Sequence, residues 1–208
     1  MFVLGLTGSI AMGKSWGAKC FRNLSVPVHD ADHCVHQLLG VGGKAVATVE
    51  AAFPGVQKTD GGIDRGKLSA RVFGNDEALD TLESILHPLV RAEQRRFLAR
   101  HARAGSPLVV LDVPLLYETG GVARTDAVVV MSAPEFLQCR RALSRPSMTA
   151  EKFGAILERQ VPDGVKCSVA DFIVSTGGPR GESLRQIAAI VKIARGLQGH
   201  VWSPAWGR

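Results

Sequence analysis

Five short apolar runs, each bounded by polar or turn-forming residues, set the frame of the chain. They cover residues 2–6 (FVLGL), 26–29 (VPVH), 108–112 (LVVLD), 127–131 (AVVVM) and 172–174 (FIV). Each predicts a strand: the run at 108–112 is continuous, as expected for a sheet covered on both faces, and the second is short, with Pro27 near its start. Between them the apolar positions change to helical spacing. Residues 14–24, 134–143, 149–160 and 182–197 predict helices, the last with Leu184, Ile187, Ala188, Val191 and Ala194 on one stripe. From 33 to 103 no run reads as a strand. Helices are expected there over 33–39, 44–53, 64–73, 76–86 and 88–103, with a loop at 55–62. Asp64 and Asn75 stand where N-caps are wanted, and Pro88 suits the first turn of the last segment. Strands alternating with helices predict a parallel α/β sheet, here interrupted by a helical insertion.

The first strand runs directly into Gly8-Ser9-Ile10-Ala11-Met12-Gly13-Lys14-Ser15. This fits the spacing G-x-x-x-x-G-K-[ST] of a phosphate-binding loop between a strand and a helix. Gly8 permits a sharp turn out of the strand, and Gly13 permits close approach of backbone to a phosphate. Successive N–H groups then form an anion nest, to which the following helix adds its positive end. Lys14 has the reach for β- and γ-phosphates, and the Ser15 hydroxyl is a ligand for Mg²⁺.

Composition narrows this picture only a little. The chain has 208 residues, 46% hydrophobic and 21% charged, which suits a globular core with a modest insertion. The apolar N-terminus lacks a basic flank and is interrupted by Lys14, so neither a signal peptide nor a membrane span is expected. Four scattered cysteines (20, 34, 139 and 167) form no C-x-x-C pair, and reduced thiols in a cytoplasmic protein are expected. The net charge of +6 suits an anionic ligand, but with no long Lys/Arg run nucleic acid is not expected.

Three further groups bear on chemistry. Asp30 and Asp32 close the second strand, two residues apart, so their side chains are expected on one side of the sheet edge. One could hold Mg²⁺ through water and the other could accept or orient a hydroxyl proton. Two helix N-caps are the equal alternative. Asp112 ends the third strand, where a phosphate loop's acidic partner is expected; a solvated strand-end carboxylate is the plainer reading. Arg140, Arg141, Arg145 and Arg159 gather in a helix–loop–helix, either as a solvated basic face or as a lid over a transferring phosphoryl group.

The ordered set resembles the dephospho-coenzyme A kinase family along nearly the whole chain. Its pieces are Gly5-Leu6-Thr7-Gly8…Gly13-Lys14-Ser15, Asp30-Ala31-Asp32, Leu86-His87-Pro88-Leu89, Asp112-Val113-Pro114-Leu115-Leu116-Tyr117-Glu118, Arg141…Arg145, Met148-Thr149, Ile156-Leu157…Arg159-Gln160 and Ala170-Asp171-Phe172-Ile173. The resemblance implies ATP-dependent phosphorylation of the ribose 3′-hydroxyl of dephospho-coenzyme A. It implies a P-loop kinase core with a five-stranded parallel sheet at 1–30, 105–139 and 169–200. It also implies a coenzyme A-binding helical insertion at 31–104, a lid at 140–168 and a tail at 201–208. It assigns Asp32 as the base or orienting group, with Lys14 and Arg141 beside it in catalysis. Gly8 and the stretch Ala11, Met12, Gly13, Lys14, Ser15 and Trp16 fall to ATP, Ser15 and Asp30 to Mg²⁺, and Asp32, His87 and Asp112 to the acceptor. A monomer or small homo-oligomer without membrane or nucleic-acid partners is expected.

The loop departs from the family pattern. Ser9 and Ala11 replace glycines, and Trp16 replaces a small hydroxyl residue. Ala11 should resist any φ above zero. Another small-molecule or nucleotide P-loop kinase, or an ATP-binding protein with weakened catalysis, are the alternatives. A nucleotide switch would need N-K-x-D or a D-x-x-G after the third strand, and neither is present.

Overall fold

The computed structural model describes residues 1–203, so most of the expected tail, 204–208, lies outside the described residues. The described residues divide into two compact units, 1–30 with 98–203, and 31–97.

The first unit is built on β1 (Phe2–Thr7), β2 (Val28–Asp30), β3 (Leu108–Asp112), β4 (Ala127–Ser132) and β5 (Phe172–Ser175). They form one parallel sheet in the order β2-β3-β1-β4-β5. Every residue of β1 and β3 is buried, as their unbroken apolar runs require. The chain moves to one side of β1 first and to the other side later. The carboxyl end of β1 is therefore the switch point at which a parallel sheet opens a crevice. Helices α1 (Lys14–Asn23) and α9 (Arg180–Arg195) pack on the sheet through Ala18, Phe21, Ile187, Ile190, Val191 and Ala194. Three shorter helices, α6 (Glu135–Leu143), α7 (Ala150–Glu158) and α8 (Asp163–Ser168), lie between β4 and β5 in the chain. The last of these, like the 3₁₀ turn Gly121–Arg124, has too few residues to show a period, and the sequence pattern does not predict either.

The second unit holds α2 (Ala31–Leu39), α3 (Val46–Ala52), α4 (Arg65–Val72) and most of α5 (Asp76–Arg103). Its core joins Cys34, Leu38, Val49, Phe53, Leu68, Leu82 and Leu86. Asp64 caps α4 by accepting from the Gly66 and Lys67 amides, and the Asn75 side chain accepts from Ala78 at the start of α5. Two expectations are corrected here. Helix α2 begins at Ala31, directly after β2, so Asp32 is a first-turn helical residue and not the next outward position of a strand. The segments expected at 76–86 and 88–103 are one helix of 28 residues with Pro88 inside it. Apolar positions on both sides of the proline, Leu82, Ile85, Leu86, Leu89 and Val90, pack into the same core. Packing outweighs the missing N–H. The Ser84 carbonyl that Pro88 cannot serve belongs to an exposed residue and can be hydrated. Pro88→Ala should restore that hydrogen bond and raise stability by about 1–2 kcal/mol, the interior proline penalty less the entropy it removes from the unfolded chain. An unchanged melting temperature would contradict this.

Candidate active site

Strand register assembles the site. Asp112 pairs with Leu6 on one side and with Asp30 on the other, so two carboxylates end adjacent strands where β1 passes into the phosphate loop. Thr7 seals this edge by donating its hydroxyl to the Pro114 carbonyl at 3.0 Å.

The loop itself depends on two glycines. Gly8 has φ 155°, and a Cβ there would lie 2.6 Å from the Met131 carbonyl; Gly13 has φ 91°, and a Cβ would press on Thr176. Gly13 stands at the N-cap of α1 without any side-chain cap, so no side chain competes for the first-turn amides. Ala11 adopts φ 62°. The sequence argues that alanine should resist this region, and the chain nevertheless enters it, storing strain in the loop.

Lys14 donates to Asp112 Oδ1 at 2.7 Å, with side-chain exposures of 15% and 2%. The ammonium has three donors, so this bond aims the lysine without exhausting it. Asp112 is thus a buried partner of the loop lysine, not an open strand-end carboxylate. Ser15 is exposed beside it. Asp30 lies within 3.5 Å of Arg22 at the surface. Trp16, at the position of a small hydroxyl residue, ties α1 to α9: its Nε1 donates to Ser183 Oγ at 2.9 Å, and Arg180 lies 5.0 Å over its ring.

Arg141 is held rather than extended. Its guanidinium donates to Thr176 Oγ1 at 3.1 Å and to the Thr176 carbonyl at 2.6 Å. Thr176 Oγ1 in turn donates to the Met12 carbonyl at 2.9 Å, linking the arginine to the phosphate loop. Arg140, Arg145 and Arg159 are exposed. In the helical unit, Asp32 is exposed and the His87 side chain is 42% exposed, 3.9 Å from Glu83 one turn earlier.

Sequence reading assigned no role to several residues beside the loop. Lys166 is fully buried and lies 2.9 Å from Glu118 Oε1. That same oxygen accepts from the Val161 amide, so the Glu118 that ends the D-V-P-L-L-Y-E run anchors the chain after α7. Burial pushes the Tyr117 and Cys167 pKa values up, so both stay protonated in this corner. Gln138 and Gln160 both bond the backbone of Ile10. They help line a cavity of about 430 Å³ together with Ser9, Met12, Ala133 and Asp163. Among the described residues no three His, Cys, Asp or Glu side chains group as a metal centre, and no helix is long and apolar enough to cross a membrane.

The model of the family described as dephospho-CoA kinase matches residues 2–179. The chain belongs to the dephospho-CoA kinase family. A dephospho-CoA kinase of Paramagnetospirillum magneticum is 56% identical over 94% of this chain and 92% of its own length. One from Mesorhizobium japonicum is 53% identical over 96% and 100%. A solved structure from Thermus thermophilus has a TM-score of 0.79 at 29% identity, covering 95% of this chain and 98% of that one. Membership in the dephospho-CoA kinase family makes the chain a phosphotransferase with an α/β P-loop kinase fold, and ATP is the phosphoryl donor that such a fold serves.

Proposed function

We propose that this chain transfers the γ-phosphoryl group of ATP to the 3′-hydroxyl of dephospho-coenzyme A, giving coenzyme A and ADP. The observation that carries the proposal is the joining of Lys14 and Asp112 at the mouth of a glycine-bounded phosphate loop, in a chain whose family acts on this substrate. ATP would lie with its phosphates over the backbone of residues 11–16. Lys14, aimed by Asp112, would stabilise charge between the β- and γ-phosphates. The Ser15 hydroxyl and the Asp30 carboxylate, in register beside Asp112, are hard oxygen donors that suit Mg²⁺, an ion that needs few protein ligands. When bound, that ion would neutralise charge on the bridging phosphate oxygens.

The acceptor roles rest on family resemblance and chain position. Asp32 would take or orient the 3′-hydroxyl proton. Ala31–Phe97, with His87, would supply the coenzyme A-binding surface. The segment 140–168 would act as the lid. Arg141 spends two of its five N–H donors on Thr176, so it would hold that threonine against the loop and still have donors to offer a phosphate. A cytoplasmic location fits four free thiols.

The deciding experiment is a coupled assay for ADP release with and without dephospho-coenzyme A. Release should depend on the acceptor and be accompanied by 3′-phosphorylated product. Acceptor-independent hydrolysis, or phosphorylation of shikimate or a nucleoside monophosphate instead, would overturn the assignment.

A further inference from the structure

Ile10 is the residue just before the strained Ala11, and both of its backbone polar groups are taken by glutamines. Its N–H donates to Gln160 Oε1 at 3.0 Å, and its carbonyl accepts from Gln138 Nε2 at 2.9 Å. Gln138 is buried on α6, one turn before Arg141, and Gln160 follows α7. The segment bearing Gln160 is itself fixed, because the next amide, Val161, is bonded to Glu118. On the other side of Ala11, the Met12 carbonyl is held by Thr176, and the Met12 sulfur accepts from the Ala133 amide at 3.2 Å.

We propose that Gln138 and Gln160 are positioning residues that clamp the phosphate loop in its nucleotide-binding shape against the strain of a left-handed Ala11. An alanine favours leaving that conformation, whereas a glycine does not. Two side chains that fix the preceding peptide groups from different segments oppose the escape. The complementary polarity, an acceptor for the N–H and a donor for the carbonyl, makes the hold specific to one orientation of the Ile10 backbone. Neither glutamine touches the reacting atoms in this reading. The proposal rests on the loop's being the ATP site.

The test is ADP binding by calorimetry, which needs no acceptor, combined with the KM for ATP and with thermal unfolding. Gln160→Ala should weaken ADP binding and raise the ATP KM about fivefold, the factor that one net hydrogen bond represents, with kcat at saturation within about twofold of the parent. Q138L, which keeps the bulk but removes the donor, should act in the same sense. In an A11G background the Q160A effect should shrink below about twofold, because glycine holds φ near 60° unaided. Equal effects in both backgrounds, or loss of melting temperature with unchanged ADP affinity in both glutamine variants, would overturn the clamp. Absence of ADP binding by the unaltered protein would instead overturn the assignment of the loop as the nucleotide site.

Discussion

Replacing Lys14 with alanine is expected to lower kcat about 10²–10³-fold, the usual loss when one preorganised donor to developing charge is removed. The KM for dephospho-coenzyme A should change little. Lys14 opens α1 directly after Gly13, and its ammonium lies 2.7 Å from the Asp112 carboxylate. Because that bond uses one of three donors, the lysine is oriented before ATP arrives, and little reorganisation is needed during transfer. The same substitution removes the counter-ion of a carboxylate that is 2% exposed. Breaking a buried pair from one side costs up to about 3–5 kcal/mol, so a lower melting temperature is expected as well. Lys14→Arg separates the two effects. It keeps positive charge for Asp112 but presents a planar fork in place of a compact ammonium. It should retain most of the stability and still lose turnover. Steady-state kinetics and thermal melts on the three proteins check this. If the alanine variant stays folded and keeps more than a tenth of the parental kcat, Lys14 is not the stabiliser of the transferring group.

The features legible in the sequence share a local cause. The central strands β1, β3 and β4 show as apolar runs because both of their faces are covered, leaving no alternation to misread, whereas the edge strands β2 and β5 are only partly buried and show as shorter, weaker runs. The phosphate loop shows because its steric and electrostatic demands fall on residues fixed relative to one another by a few bonds. What stayed hidden is long-range or cooperative. The bonds from Gln160 and Gln138 to Ile10 and from Thr176 to Met12 span 150, 128 and 164 residues, and no local spacing announces them. No local pattern marks Lys166, between Val165 and Cys167, for burial against Glu118, because it lies on a six-residue helix too short to show a period. Pro88 marks a helix start by local preference, and only the shared core on both sides of it carries the helix through. Asp30 and Asp32 were readable as a pair, but the strand ends between them. Period-two reasoning therefore fails at the very residue proposed as the base.

Asp32→Asn is expected to lower kcat about 10²–10⁴-fold, the range that a positioned general base contributes. ADP affinity should stay within about twofold, because the loop and Lys14 are untouched. The position of Asp32 in the first turn of α2 supplies a specific rival explanation. An acidic residue there interacts favourably with the helix N-terminus and contributes about 0.3–1 kcal/mol to stability. If that is its whole role, the asparagine variant should melt slightly earlier and turn over normally. Asp32→Glu sharpens the contrast. It keeps a carboxylate at the helix start, so a purely helical role predicts a protein indistinguishable from the parent. A base that must meet one hydroxyl proton is sensitive to an added methylene, so the proposed role predicts reduced kcat with unchanged stability. Asp30 provides the control from the neighbouring strand. In the proposed arrangement, Asp30→Asn should act through the cation, raising the Mg²⁺ concentration needed for half-maximal rate, whereas no added Mg²⁺ should restore the Asp32→Asn protein. Rescue of both variants by Mg²⁺ would move Asp32 from proton transfer to metal binding, and near-parental turnover in Asp32→Asn would remove it from the mechanism.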